Sequence, residues 1–281
     1  MQAEIDQILN ASARAEADLQ GRAQGLESAL ETSREELRAL RTRLADAETR
    51  GSRPDVGALR QELLAAQTAL ARRQLAPNID YAGIEAVGRP AVARIFVEYA
   101  SGGRFAATAF AVDPTGRLMT NRHVVETEEG ETPARIGVQF SGSAQVYPAR
   151  LVAASEGSDL AILQLERLEG EVPILEGINA RPDTLQSGSP VVVLGFPLAG
   201  SPTEEAGSAP NPVLSAGLLA ASSTDFVEVE ALGAEGSSGS PIFDQGGQLI
   251  GVLFGGRFVD GQQRLVGVAS SAVLALIQAV R

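Results

Sequence analysis

Apolar residues near the N-terminus recur at alternating four- and three-residue steps: Leu19, Ala23, Leu26, Leu30, then Leu37, Leu40, Leu44 and Ala47. Ser33 interrupts this seam once, and backwards it reaches Leu9 and Ile5, with Ser12 and Glu16 between. Sustained heptads flanked by Glu27, Arg34, Glu36 and Arg41 predict a coiled-coil helix over about 2–50 rather than the wider stripe of a globular helix. Gly51-Ser52-Arg53-Pro54 breaks it. Ser52 with Asp55 resembles a capping box and Pro54 suits a first turn, so a second helix is predicted over about 55–75. Its seam (Val56, Leu59, Leu63, Ala66, Leu70) is out of phase with the first. The two helices either fold back as an antiparallel hairpin or continue as a bent stalk. A long exposed heptad helix is not stable alone, so residues 1–76 are expected to form a homo-oligomer or to bind a partner protein.

Pro77-Asn78 ends that region, and 77–89 reads as a linker, with Ile79 to Gly88 as a lead-in at most. From Pro90 the pattern changes to short β-branched runs separated by Gly, Pro, Asp and Ser. Twelve candidate strands follow, from Ala91–Tyr99 to Leu265–Ala269, with turn signals such as Asp113-Pro114-Thr115-Gly116 and Asp244-Gln245-Gly246-Gly247. So many short strands in residues 90–281 predict a mainly β domain built as two small barrels, closed by a helix over Ser271–Val280.

Composition narrows the chemistry. At 281 residues and 44% hydrophobic content the protein is able to bury a real core. A net charge of −12 argues against a nucleic-acid partner, because phosphate binding needs a basic surface. With no cysteine and one histidine, neither a disulfide nor a thiolate or histidine-rich metal site is expected, and no cofactor is implied. No apolar run approaches the roughly 20 residues of a membrane span. Met1 leads straight into the helical pattern without a signal peptide, which leaves the compartment open. The protein reads as soluble as it stands, and as extracytoplasmic or membrane-tethered if a targeting segment has been removed.

Candidate chemistry lies in three places. Gly236-Ser237-Ser238-Gly239-Ser240-Pro241 runs into the strand Ile242-Phe243, and a glycine-flanked serine before a strand marks a sharp turn with close backbone approach. Alone it is ordinarily just a turn. The single histidine, His123, follows Leu118-Met119-Thr120-Asn121-Arg122, and Asp159 opens the apolar run Leu160-Ala161-Ile162-Leu163. A nucleophilic serine needs a base to take its proton and a carboxylate to orient that base; Ser238, His123 and Asp159 supply all three.

The stretch Ala109-Phe110-Ala111-Val112-Asp113-Pro114-Thr115-Gly116 through His123-Val124-Val125 resembles the histidine block of trypsin-like serine proteases of the bacterial HtrA (Deg) type. Ser158 to Leu163 resembles their aspartate block and Gly236 to Pro241 their serine block, in the same order, separated by 36 and 79 residues. The resemblance covers about 85–281 and implies a trypsin-like double β-barrel, with His123 and Asp159 on the first barrel and Ser238 on the second. It further implies an oxyanion hole from the N–H groups of Gly236 and Ser238. Leu232 is then expected at the base of the specificity pocket, Leu253-Phe254-Gly255 as the wall strand and Gly267 on the far side. With no charge among these, an apolar side chain is expected before the scissile bond. Departures are Ala107-Thr108-Ala109, where Gly-Ser-Gly is usual, and Ser237 and Ser240, where Asn or Asp and Gly are commoner. No PDZ domain is expected within these 281 residues. The expected function is a serine endopeptidase acting on proteins or peptides; the alternative is a latent or structural scaffold that binds a partner through the coiled coil.

Overall fold

The computed structural model describes residues 31–50, 53–75, 79–127, 129–197, 209, 211–231, 236–259 and 262–280. The protein divides into two compact units, Met1–Arg73 and Gln74–Arg281.

In the first unit, 31–50 form a helix, α1, and Arg53–Leu75 form α2. The least exposed positions of α1 are Ser33, Leu37, Leu40, Leu44 and Ala47, one continuous heptad stripe that includes the interrupting serine. On α2 they are Val56, Leu59, Leu63, Ala66 and Leu70, together with Gly57 and Gln67. Arg43 pairs with Glu62 at 3.5 Å and Glu48 with Arg60 at 3.0 Å. The later residue of α1 thus meets the earlier residue of α2, so over these residues the helices run antiparallel, as a hairpin. Both ion pairs are exposed and contribute little energy, though they do fix the direction. The seam positions before residue 31 lie outside the described residues.

The second unit opens with a difference from expectation. Tyr81–Ala91, most of it within the 77–89 segment read as linker, is a helix, α3. Asp80 caps it by accepting from the Gly83 N–H at 3.0 Å, and its buried face carries Ile84, Gly88 and Ala91. Gly83, Gly88 and Pro90 masked the helical period in the sequence. A Cβ at Gly88 would stand 2.9 Å from Leu194 Cδ2, so α3 lies tight against its support.

All twelve expected strands are present, several with shifted ends and the last two longer than expected. The first six are β1 (Val92–Glu98), β2 (Arg104–Asp113), β3 (Arg117–Thr120), β4 (Arg135–Phe140), β5 (Tyr147–Ala154) and β6 (Ala161–Leu165). They close a barrel in the order β1-β2-β3-β6-β5-β4. The next six are β7 (Pro190–Gly195), β8 (Val213–Ser222), β9 (Phe226–Glu230), β10 (Pro241–Asp244), β11 (Leu249–Val259) and β12 (Gln262–Ala269). They close in the same circular order, β7-β8-β9-β12-β11-β10, so the protein is mainly β with two barrels of like connectivity. Alternation puts Ile95, Val97, Leu118, Val138 and Leu163 inside the first, and Val191, Leu219, Val229, Ile242 and Leu265 inside the second. Each such side chain, fully buried, contributes about 1.5–3 kcal/mol. A short helix, α4 (Arg122–Val125), interrupts the first barrel after β3, and α5 (Ser270–Ala279) closes the domain. Among the described residues no helix is long and apolar enough to cross a membrane, and no His, Cys, Asp and Glu cluster is placed to hold a metal ion.

Candidate active site

His123 sits on α4 because β3 ends at Thr120 and the backbone turns through Asn121 into one helical turn. Asn121 is fully buried, and its Nδ2 donates to the Asp159 carbonyl at 2.8 Å, tying the histidine turn to the loop before β6. Arg122 reinforces this link by donating to the Ser155 carbonyl at 3.1 Å and to both oxygens of Glu126 at 2.9 Å. From the other side the Tyr99 hydroxyl donates to the Val124 carbonyl at 3.0 Å. Burial, helped by Glu131 and Glu126, pushes the Tyr99 phenol above its usual pKa and keeps that donor protonated.

With both loops held, the Asp159 carboxylate reaches His123 twice. Oδ1 accepts from the His123 backbone N–H at 2.9 Å, and Oδ2 lies 2.7 Å from Nδ1. A carboxylate only accepts, so Nδ1 carries a proton, and in the neutral imidazole Nε2 then presents its lone pair. Nε2 lies 3.2 Å from Ser238 Oγ. The three residues singled out in the sequence therefore form one hydrogen-bonded series, with the imidazole half exposed to the cleft.

Ser238 belongs to the turn before β10, and Thr108 of β2 holds that turn across the barrel interface. The Thr108 N–H donates to the Ser238 carbonyl at 2.8 Å, and its hydroxyl donates to the Gly236 carbonyl at 3.0 Å. The same hydroxyl accepts from the Phe196 N–H at 3.0 Å, and the Thr108 carbonyl accepts from Thr120 Oγ1 at 2.8 Å. Gly239 completes the fit. It has φ +84°, and a Cβ there would meet the Thr108 carbonyl oxygen at 1.9 Å, so only glycine allows this approach. Among the described residues neither the Gly236 nor the Ser238 N–H has a protein acceptor.

The residues expected around a specificity pocket fare differently. Leu253 has both backbone groups committed to the serine turn: its N–H donates to the Ser240 carbonyl at 2.9 Å and its carbonyl accepts from Gly239 at 2.8 Å. Its side chain is buried in the second core, and its backbone supports the serine turn. Gly267 pairs with Leu253 in β12 and is also buried; a Cβ there would stand 2.7 Å from Ile242 Cδ1. Phe254, at the bulge after Leu253, is exposed, and Gly255 is half-buried. Leu232 lies outside the described residues. The open cleft at Ser238 is bounded instead by His123, Val124 and Gly236 and by β1 and β2 from Phe96 and Ala107 to Arg104.

Thr108 is the residue holding this turn that sequence reasoning passed over. It stood out only as a departure from a glycine-flanked serine, and its partners at the serine turn lie some 130 residues away in sequence.

Residues 107–252 match the family model described as a trypsin-like peptidase domain. The protein is 32% identical over 149 residues to a probable periplasmic serine endoprotease, DegP-like, of Chlamydia pneumoniae, a match covering 52% of this chain and 28% of the relative. It is 28% identical over 148 residues to serine protease HTRA1 of Xenopus tropicalis, covering 52% and 30%. It is 29% identical over 160 residues to mitochondrial serine protease HTRA2 of Drosophila willistoni, covering 55% and 35%. The matches thus span about a third of the length of these relatives.

Proposed function

Since the chain belongs to the trypsin-like peptidase domain family, as a serine peptidase of the HtrA type, we propose that it cleaves protein or peptide substrates through the triad His123, Asp159 and Ser238. The observation that carries this reading is the continuous series of short contacts, 2.7 Å from Asp159 to His123 and 3.2 Å from His123 to Ser238. His123 Nε2 takes the hydroxyl proton as Ser238 Oγ bonds to the scissile carbonyl carbon. The resulting oxyanion is met by the N–H groups of Gly236 and Ser238, each such donor being worth about 2.7–4 kcal/mol in the transition state. His123 then gives its proton to the departing nitrogen, the C–N bond breaks, and an acyl-enzyme ester remains. Water, deprotonated by the same imidazole, releases the acid and restores the serine. Asp159 stabilises the imidazolium at each stage.

Phe254 and Gly255 remain the candidates for the wall beside the residue preceding the scissile bond, with Leu232 at its base. None is charged, and a charged side chain there would be desolvated without a partner, so apolar residues are favoured at that position. A peptide-library profile checks this; dominance of Arg, Lys, Asp or Glu before the cut would overturn the pocket assignment. Residues 1–76 are proposed to join copies of the protein or to hold a partner protein.

The decisive test is Ser238→Ala in the full-length protein. Losing one hydroxyl at a cleft leaves no large cavity, so the variant should melt like the parent. It should cleave nothing and resist a fluorophosphonate probe that labels the parent at Ser238. A parent protein that folds but is never labelled would favour the scaffold reading; a variant that still cleaves would move the nucleophile elsewhere.

A further inference from the structure

The cleft at Ser238 leads away from the second barrel, along β2. Thr108 pairs with Arg94 of β1, yet its N–H points to Ser238, so this is a pair in which the two strands exchange no hydrogen bonds. Such pairs recur every second residue. Ala106, opposite Phe96, and Arg104, opposite Glu98, therefore also turn their backbone N–H and C=O away from β1, toward the cleft. β3 joins β2 only from Phe110 onward. Among the described residues the backbone groups of Ala106 and Arg104 have no protein partner, which leaves a short open strand edge beginning at the nucleophile.

His123 decides which half of a substrate lies there. Its Nε2 delivers a proton to the departing nitrogen, so the part of the substrate that follows the scissile bond starts beside His123, where this cleft starts. Four residues separate Thr108 from Arg104, about 13 Å at strand rise. An extended peptide adding to this edge sets its second residue against Ala106 and its fourth against Arg104.

At that far end Glu98 lies between two guanidinium groups, 2.8 Å from Arg104 and 2.7 Å from Arg135. The hydrogen bond from Arg104, with the charge of Arg135, lowers the Glu98 pKa, so one negative charge faces two positive ones. Among the charged residues lining that end of the cleft the two arginines outnumber Glu98, on a protein whose overall charge is −12, while Glu131 accepts from the Ser101 N–H in the adjoining hairpin at 3.3 Å. We propose that Arg104 and Arg135, at the far end of the β2 edge along which the leaving-group side of the substrate runs, select an acidic side chain at the third or fourth residue after the scissile bond. This deepens the endopeptidase reading and rests on it.

Both arginines are about three-quarters exposed, so solvent screens the attraction and the preference is modest. The test uses full-length protein and matched peptides that differ only by Glu, Gln or Lys at those two positions. The expected kcat/KM ratio of Glu to Gln is about three- to ten-fold, with Lys below Gln, shrinking as salt rises toward 1 M. Arg104→Gln with Arg135→Gln should bring the Glu-to-Gln ratio to one or below, since Glu98 is then left unopposed. Should the double variant not fold, the salt dependence of the parent's ratio carries the same information. Equal cleavage of all three peptides at low salt would overturn the subsite and leave the protease standing. If no peptide is cleaved, the endopeptidase reading is what fails. Binding of the same labelled peptides to Ser238→Ala then judges the edge separately: Glu above Gln above Lys supports it, and no charge dependence refutes it.

Discussion

Thr108 is small and fully buried, yet four hydrogen bonds converge on it. Two of them hold the carbonyls on either side of the peptide that presents the Ser238 N–H. Thr108→Val keeps the shape but removes the hydroxyl, leaving the Gly236 carbonyl without that donor and the buried Phe196 N–H without its acceptor. An unsatisfied buried group costs about 1–3 kcal/mol, so the variant should melt several degrees lower. If the hydroxyl also aligns the oxyanion donors, kcat should fall about 10- to 100-fold with KM little changed, and Thr108→Ser should restore it. Steady-state kinetics on protein shown to be folded separates the two effects; a lower melting temperature with unaltered kcat would reduce Thr108 to a structural role.

Among the elements, the strands were the most legible. β4, β7 and β9 have the boundaries that periodicity and flanking turn residues assign, because each is a short β-branched run with one face in a barrel. β11 and β12 extend past expectation: Gly255, Gly256 and Arg257 carry no apolar alternation, and only pairing with the neighbouring strand holds them extended. α3 was hidden by its glycines and proline, since tight packing against Leu194 and Phe243 selects for the absence of a side chain where propensity asks for one. Its Asp80 cap was legible in principle. Asp80→Ala should lower stability by about 1 kcal/mol, read as a shift in urea midpoint at constant m-value with activity per folded molecule unchanged. At the site, His123, Asp159 and Ser238 stand out in the sequence because the chemistry proposed for them requires those residue types, and the fold brings them within hydrogen-bond distance. For Leu253 and Gly267 the sequence does not show that the Leu253 backbone is tied to the serine turn or that both positions are buried, because which backbone groups are already taken is a property of the folded turn.

Over the whole molecule, the helical unit raises the question of assembly. The described part of α1 and α2 is an antiparallel hairpin, and two helices present too little apolar surface to be stable by themselves. We therefore expect residues 1–76 to associate with copies of themselves. Sedimentation of the full-length protein should give a multimer where a variant beginning at Ile79 gives a monomer, and two monomers of the expected masses would sink the idea. Within the second unit His123, Asp159 and Ser238 are shared between the barrels, so their alignment has to be held from outside the cleft. α3 precedes the first barrel in sequence, yet it packs on Leu194 and Phe243 of the second, and Arg89 donates to the Pro212 carbonyl at 3.4 Å. α5 follows the second barrel, yet Arg117 of β3 in the first donates to the Val280 carbonyl just beyond it, at 3.0 Å. Each terminal segment is a clasp fastened to the barrel that it does not continue. The pair works like two crossed straps: relative rotation of the barrels must strip at least one of them. The geometry at Ser238 is thereby guarded by residues at the two ends of the domain, and trimming either end should loosen a joint that neither barrel can hold alone.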